Sequence, residues 1–169
     1  IMMASNVGAA LTHTGDMMCV LKDYEIMAEH DGTSATANVS SFISRDNTVL
    51  VGANGKRFVD ELANRKVRAD AVITAANKGQ LCIAVTNKEG IEMMQQIHHN
   101  ILAKQLERGV VYEFPTLKAM AEKFNIPEAA LQKTVDEYNA GLKAGKDPLN
   151  RYINKDCKPM VNGPWYCSK

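Results

Sequence analysis

The residue types best suited to chemistry crowd into one stretch, NGKRFVDELANRKVRAD (54–70), where Arg57, Arg65, Lys66 and Arg68 surround the acidic pair Asp60 and Glu61. Arginine presents a planar fork of donors that grips a carboxylate in two places, so a cluster of this kind can hold an organic anion. On a helix over 63–78, Arg65 and Arg68 stand one turn apart on a face shared with Ala69 and Val72. The same pattern also describes an exposed helix surface laced by ion pairs, with Glu61 capping its start. Residue types alone leave both readings open.

Other chemistry is thinly represented. His98 and His99 are adjacent, so on a helix they point about 100° apart and chelate one metal badly. His30 precedes the small polar loop DGTSAT, where it either meets a ligand or serves the fold. Cys19, Cys82, Cys157 and Cys167 are widely spaced with no CxxC pair, and read as partly buried thiols rather than zinc ligands. No metal site is expected. There is no GxSxG elbow and no strand–GxGxxG–helix fingerprint, and VGANGK (51–56) lacks the Gly-Lys-Ser/Thr ending of a phosphate loop.

Positioning these side chains takes a core, and 169 residues at 46% hydrophobic and 23% charged supply one for a single domain. Twenty basic against nineteen acidic side chains, net +1, argue against a nucleic-acid or anionic-membrane surface. The apolar runs are about half the length that a membrane helix needs. Strands are predicted over 16–28, 47–51, 81–85 and 110–114, and Asn54-Gly55 is a hairpin turn with Arg57–Val59 as the returning strand. Helices are predicted over 2–10, over 63–78 with Gly79 as its stop, and as one or two segments within 87–109. A short helix follows Thr116 as N-cap, and another begins with Pro127 at its first position and ends at Gly145. That last helix sets Leu131, Val135, Tyr138 and Leu142 on one face. Trp165-Tyr166 suits a strand. The sum is an α+β fold, a small antiparallel sheet packed with several helices.

The block GANGKRFVDELANR resembles the EGNRFMNE…TTR block of the flavin-dependent fumarate reductases of the soluble flavocytochrome c type. That family extends to urocanate reductases and related enoate reductases. GQLCIAVTN is similar to the family's next strand, and IPEAALQKTVDEYNAGLKAGKD to its helix ending YN…GKD. MMASNVGAAL resembles the helix leaving the first half of the family's FAD-binding domain, and GPWYC the proline-aromatic-tyrosine strand returning to the second half. The resemblance spans residues 2–167.

It implies a capping domain, residues 1–169 with short flanks, belonging to a larger protein whose FAD-binding domain lies elsewhere in the same chain. FAD is then the cofactor, bound mainly by that absent domain, and the stretch alone is expected to be inactive. The implied activity is reduction of the C=C bond of a small α,β-unsaturated carboxylic acid. Arg65 matches the family's proton donor and Glu61 the carboxylate orienting its segment, while His30 and Arg45 fall near the family's substrate-binding histidine and arginine with a one-residue gap. Ser41 and Phe42 lie in SSFISR, where the family has a Thr-Glu pair, and are read as substrate-pocket residues. The missing acid implies an acceptor other than fumarate, with one carboxylate or with a ring in place of the second. The alternatives are a related flavin dehydrogenase of the ketosteroid type and a non-catalytic α+β binding module. The resemblance leaves the electron donor and the compartment open.

Overall fold

The computed structural model describes residues 47–97, 101–107, 109 and 111–168. The expected helix over 2–10, strand over 16–28 and loop over 31–40 lie outside the described residues. So do His13, Cys19, His30, Ser41, Phe42, Arg45, His98 and His99.

Four strands, β1 (Val49–Gly52), β2 (Cys82–Asn87), β3 (Val111–Phe114) and β4 (Trp165–Ser168), form an antiparallel sheet in the order β1-β2-β4-β3. Alternation along the strands splits the core in two. Val49, Val51, Ile83, Val85, Trp165 and Cys167 meet α4 (Leu117–Phe124) and α5 (Glu128–Ala144) through Met120, Leu131, Val135 and Tyr138. Leu50, Ala84, Val111 and Tyr166 turn the other way. There they pack with Ala71 and Val72 of α1 (Arg65–Asn77), Ile91 of α2 (Lys88–Ile97) and Leu102 of α3 (Ile101–Glu107). The fold is therefore α+β, as the pattern of elements indicates.

The helix ends follow local chemistry. Asn64 caps α1 by accepting from the Val67 N–H at 3.0 Å, and Thr116 caps α4 by accepting from the Ala119 N–H at 3.1 Å. Asn125, at φ 52°, ends α4 in the left-handed region that asparagine tolerates. Pro127 stands one residue before α5 rather than at its first position, and its carbonyl accepts from the N–H groups of Ala130 and Leu131. The cap of α1 is thus Asn64 and not Glu61.

One expected strand is missing. The Asn54-Gly55 turn forms, with Gly52 N–H donating to the Lys56 carbonyl at 3.0 Å and a bridge between Val51 and Arg57. Beyond that bridge Arg57–Val59 does not return as a strand. The next rung of such a hairpin needs the Leu50 N–H, and that donor is taken by Glu61 Oε1 at 3.0 Å. A side chain closes this edge of the sheet where a strand was expected.

Residues 146–164 form no helix or strand, yet side chains hold them closely. Asn139 bonds both the N–H and the C=O of Met160 at 2.8 Å, and Asn47 Oδ1 accepts from the Lys158 N–H at 2.7 Å. This strap delivers β4 into the gap between β2 and β3.

Two glycines separate packing from backbone strain. Gly55 has φ +74°, and a Cβ there would lie 2.8 Å from Ala130 Cβ and 2.9 Å from Leu131 N. Gly79 has φ +66° with nothing within 4 Å. Gly79→Ala should therefore cost about 1 kcal/mol from backbone strain alone, and Gly55→Ala about 3 kcal/mol because overpacking adds to it. Urea unfolding midpoints of the two variants check this; equal losses would contradict the packing of the turn against α5.

Candidate active site

The basic stretch resolves into two parts, one buried and one at the start of a helix. In the buried part Glu61 is completely enclosed. Its Oε1 accepts from Leu50 N–H at 3.0 Å and from Arg57 Nε at 2.8 Å, and its Oε2 accepts from Arg57 Nη2 at 2.6 Å and Arg151 Nη1 at 2.9 Å. Arg57 Nη1 and Nη2 also donate to Asp147 at 2.6 and 3.3 Å, and Arg151 Nη1 donates to the Thr48 carbonyl at 2.6 Å. Arg151 further lies over the Tyr138 ring, 5.2 Å from its centroid.

Two guanidinium groups and two carboxylates make the cluster neutral, and Glu61 has four donors, filling its acceptor sites. Burial works against the charge on Arg57, but its bonds to Glu61 and Asp147 raise its pKa well above the ordinary arginine value. Burial likewise pushes the Asp147 carboxyl upward, and the hydrogen bond from Arg57 with the Leu149 and Arg151 N–H groups brings it below its ordinary 3.8. Burial raises the Tyr138 hydroxyl above its ordinary value, keeping it neutral. The hydrogen bonds thus favour the charged forms of Arg57 and Asp147. The cluster acts as a clamp, joining β1, the turn after it and the strap.

The second part begins four residues later. Asp60 makes a turn, its carboxylate accepting from Leu62 N–H at 2.8 Å, and Asn64 then caps α1, whose first residue is Arg65. The first turn of α1 holds no acidic residue, while Arg65, Lys66 and Arg68 stand at or near it. Cations there oppose the helix dipole, each at about 0.3–1 kcal/mol, so this end gathers positive potential that an anion would relieve. Lys66 pairs with Asp70 at 2.9 Å in solvent, whereas Arg68 is buried. The exposed ion-paired face anticipated for this helix is therefore real only in part.

Sequence reasoning singled out Arg65 and Glu61, and the structure places them at the two ends of one pinned segment. It missed Asp147 and Arg151. Both come from GKDPLNR, where no periodicity points to burial; the available signal was two opposite charges in an otherwise aperiodic stretch. Cys82 and Cys157 are half-buried and Cys167 is buried. An open groove of about 500 Å³ runs between the hairpin turn and the later part of α1, past Phe58, Thr74, Lys78 and Cys82. It lies toward the end of α1 opposite Arg65.

Among the described residues nothing fits a dinucleotide. No strand runs into a glycine-rich turn opening a helix, and the sheet is antiparallel throughout. The space beside Gly55, the glycine of the hairpin turn, is filled by α5 and leaves no room for a phosphate.

A family model described as FAD binding domain matches residues 33–169, and the chain belongs to that family. An NADH:acrylate oxidoreductase of Vibrio harveyi is 27% identical over 124 residues, covering 73% of this chain and 12% of that protein. The acrylate reductase flavoprotein subunit of Shewanella woodyi is 30% identical over 123 residues, covering 71% of this chain and 23% of that protein. The chain thus spans less than a quarter of either relative. An open flavocytochrome c3 fumarate reductase shares the fold at TM-score 0.64 and 20% identity over 81% of this chain and 23% of that one. A 3-ketosteroid Δ1-dehydrogenase of Sterolibacterium denitrificans does so at TM-score 0.63 and 20% identity over 82% and 29%. FAD is the cofactor of the family.

Two outcomes test the clamp. Glu61→Gln removes the carboxylate that Arg57 and Arg151 share and should lower unfolding free energy by about 3–5 kcal/mol in a urea titration; a loss below about 1 kcal/mol would mean the cluster is solvated. Because Asp147 is held below 3.8 in the folded state, the unfolded chain takes up the proton first as pH falls. Its contribution is complete above that ordinary value and disappears below it. Between neutral pH and acid, stability of Asp147→Asn should therefore fall less steeply than that of the parent.

Proposed function

We propose that this chain is the substrate-capping domain of an FAD-dependent reductase that saturates the C=C bond of an α,β-unsaturated carboxylic acid other than fumarate. Residues 1–169 form the cap with short flanking segments, and the flavin is held by an FAD-binding domain elsewhere in the protein. The reading rests above all on Arg65, which opens a helix whose first turn carries cations only and which is tethered to the sheet through Glu61. Family membership supports it. So do relatives named for acrylate, a monocarboxylic enoate, which agrees with Phe42 standing where fumarate reductases carry an acid.

Saturating the alkene places hydride on the β carbon and a proton on the α carbon. Arg65 supplies the proton. A guanidinium is a weak acid in water, so the transfer requires close contact and resupply from another group. The positive charge of Arg65 at the positive end of α1 also stabilises the enolate-like charge that develops before protonation. Glu61 orients the segment that carries Arg65. His30, Ser41, Phe42 and Arg45 contact the substrate, the Arg45 guanidinium donating to the acid's carboxylate. The partners are thus the small acid, the FAD-binding domain and an electron donor whose identity is not assigned.

The test uses the complete protein purified without added cofactor. A flavin band bleached by dithionite should return on adding an acrylate-type acid. Arg65→Ala should keep the flavin yet lose that reoxidation by about 10²–10⁴-fold. Full turnover in Arg65→Lys would instead favour a dehydrogenase of the ketosteroid type, and a colourless protein would leave a non-catalytic module.

A further inference from the structure

We infer that Asp147 and Arg151 are positioning residues for Arg65, so that the strap after α5 sets the geometry of proton delivery. The inference rests on the role proposed for Arg65. Its structural basis is a continuous chain of short contacts. Asp147 receives Arg57 Nη1 at 2.6 Å; Arg57 grips Glu61 through two nitrogens at 2.8 and 2.6 Å; and Arg151 holds the same carboxylate at 2.9 Å. From Glu61 to Arg65 the backbone has little freedom. Asp60 accepts from the Leu62 N–H at 2.8 Å and from the Ala63 N–H at 3.2 Å through its carbonyl, and Asn64 receives the Val67 N–H on its side chain and the Arg68 N–H on its carbonyl.

The clamp is also anchored to the backbone of the sheet. Glu61 is bonded to the backbone of β1 at Leu50, and Arg151 to that of Thr48 just before it. Asp147 additionally receives the Leu149 and Arg151 N–H groups at 2.8 and 3.4 Å, which folds the strap around its own carboxylate. The start of α1 is therefore referenced to the sheet through side chains lying 82 and 86 positions after Arg65 in sequence. Proton transfer is steep in distance, and a displacement of about 1 Å is enough to cost about 100-fold.

The experiment compares Asp147→Asn, Arg151→Lys and Leu131→Ala in the complete flavoprotein. Leu131 is a fully buried core residue of α5 outside the clamp, so its variant reports plain loss of stability. For the two clamp variants, kcat per bound flavin should fall about tenfold or more with KM for the acid changed less than about threefold. The solvent isotope effect on kcat should rise as protonation becomes limiting, and amide exchange at Val67 and Arg68 should quicken relative to α5. Leu131→Ala should move neither kcat nor the isotope effect while folded. Should Asp147→Asn not fold, Asp147→Glu and Arg151→Lys give the same comparison, with Asp147→Glu recovering part of kcat. Unchanged kcat and isotope effect in the folded clamp variants, with Arg65→Ala inactive, would overturn this inference and leave the reading of Arg65 intact. Activity retained in Arg65→Ala would remove both.

Discussion

Glu61 lies in the protein interior between Arg57 and Arg151, and each of its oxygens accepts two hydrogen bonds. Removing such groups from water costs several kcal/mol per ion, and a well-packed apolar cluster of similar volume is often as stable. What the ionic arrangement supplies is place. Its donors come from β1 and the turn just after it and from the strap beyond α5, far along the chain. This arrangement of those stretches gives both Glu61 oxygens and the Leu50 N–H their partners, and a buried group left without one is costly.

The start of α1 shows the opposite balance. Asn64 is a favourable cap, but the basic residues that follow sit at the wrong end of the helix dipole. The fold carries this local cost because α1 is held by other means, through Ala69 and Arg68 buried beneath it and through the pinned segment before it. The local cost at Arg65 and the reinforcement at Glu61 lie four residues apart.

Most of the framework was legible because it rests on local signals. Runs of β-branched residues marked β1 and β2, Thr116 marked the start of α4, and the spacing of Leu131, Val135, Tyr138 and Leu142 marked the buried face of α5. The returning strand after Asn54-Gly55 failed for a reason no window of sequence contains: a carboxylate at Glu61 competes for the Leu50 N–H, and it does so only because Arg57 and Arg151 neutralise it. The site behaved alike. Arg65 and Glu61 stand in a dense, recognisable block, whereas Asp147 and Arg151 acquire meaning only when the strap folds back across the molecule.

The strand order carries a consequence for how the molecule comes into being. β4 is the last of the four described strands, yet it lies inside the sheet, hydrogen-bonded to β2 on one side and β3 on the other. β2 and β3 share no rungs, so a chain emerging from the ribosome cannot complete the sheet until residues 165–168 are free. Until then Val85 and Tyr112, which flank Cys167 from either side, present unpaired strand edges. Long-range pairing of this kind makes folding slow and exposes sticky edges while it is pending. Until residues 165–168 arrive, the gap between β2 and β3 is open to a foreign strand.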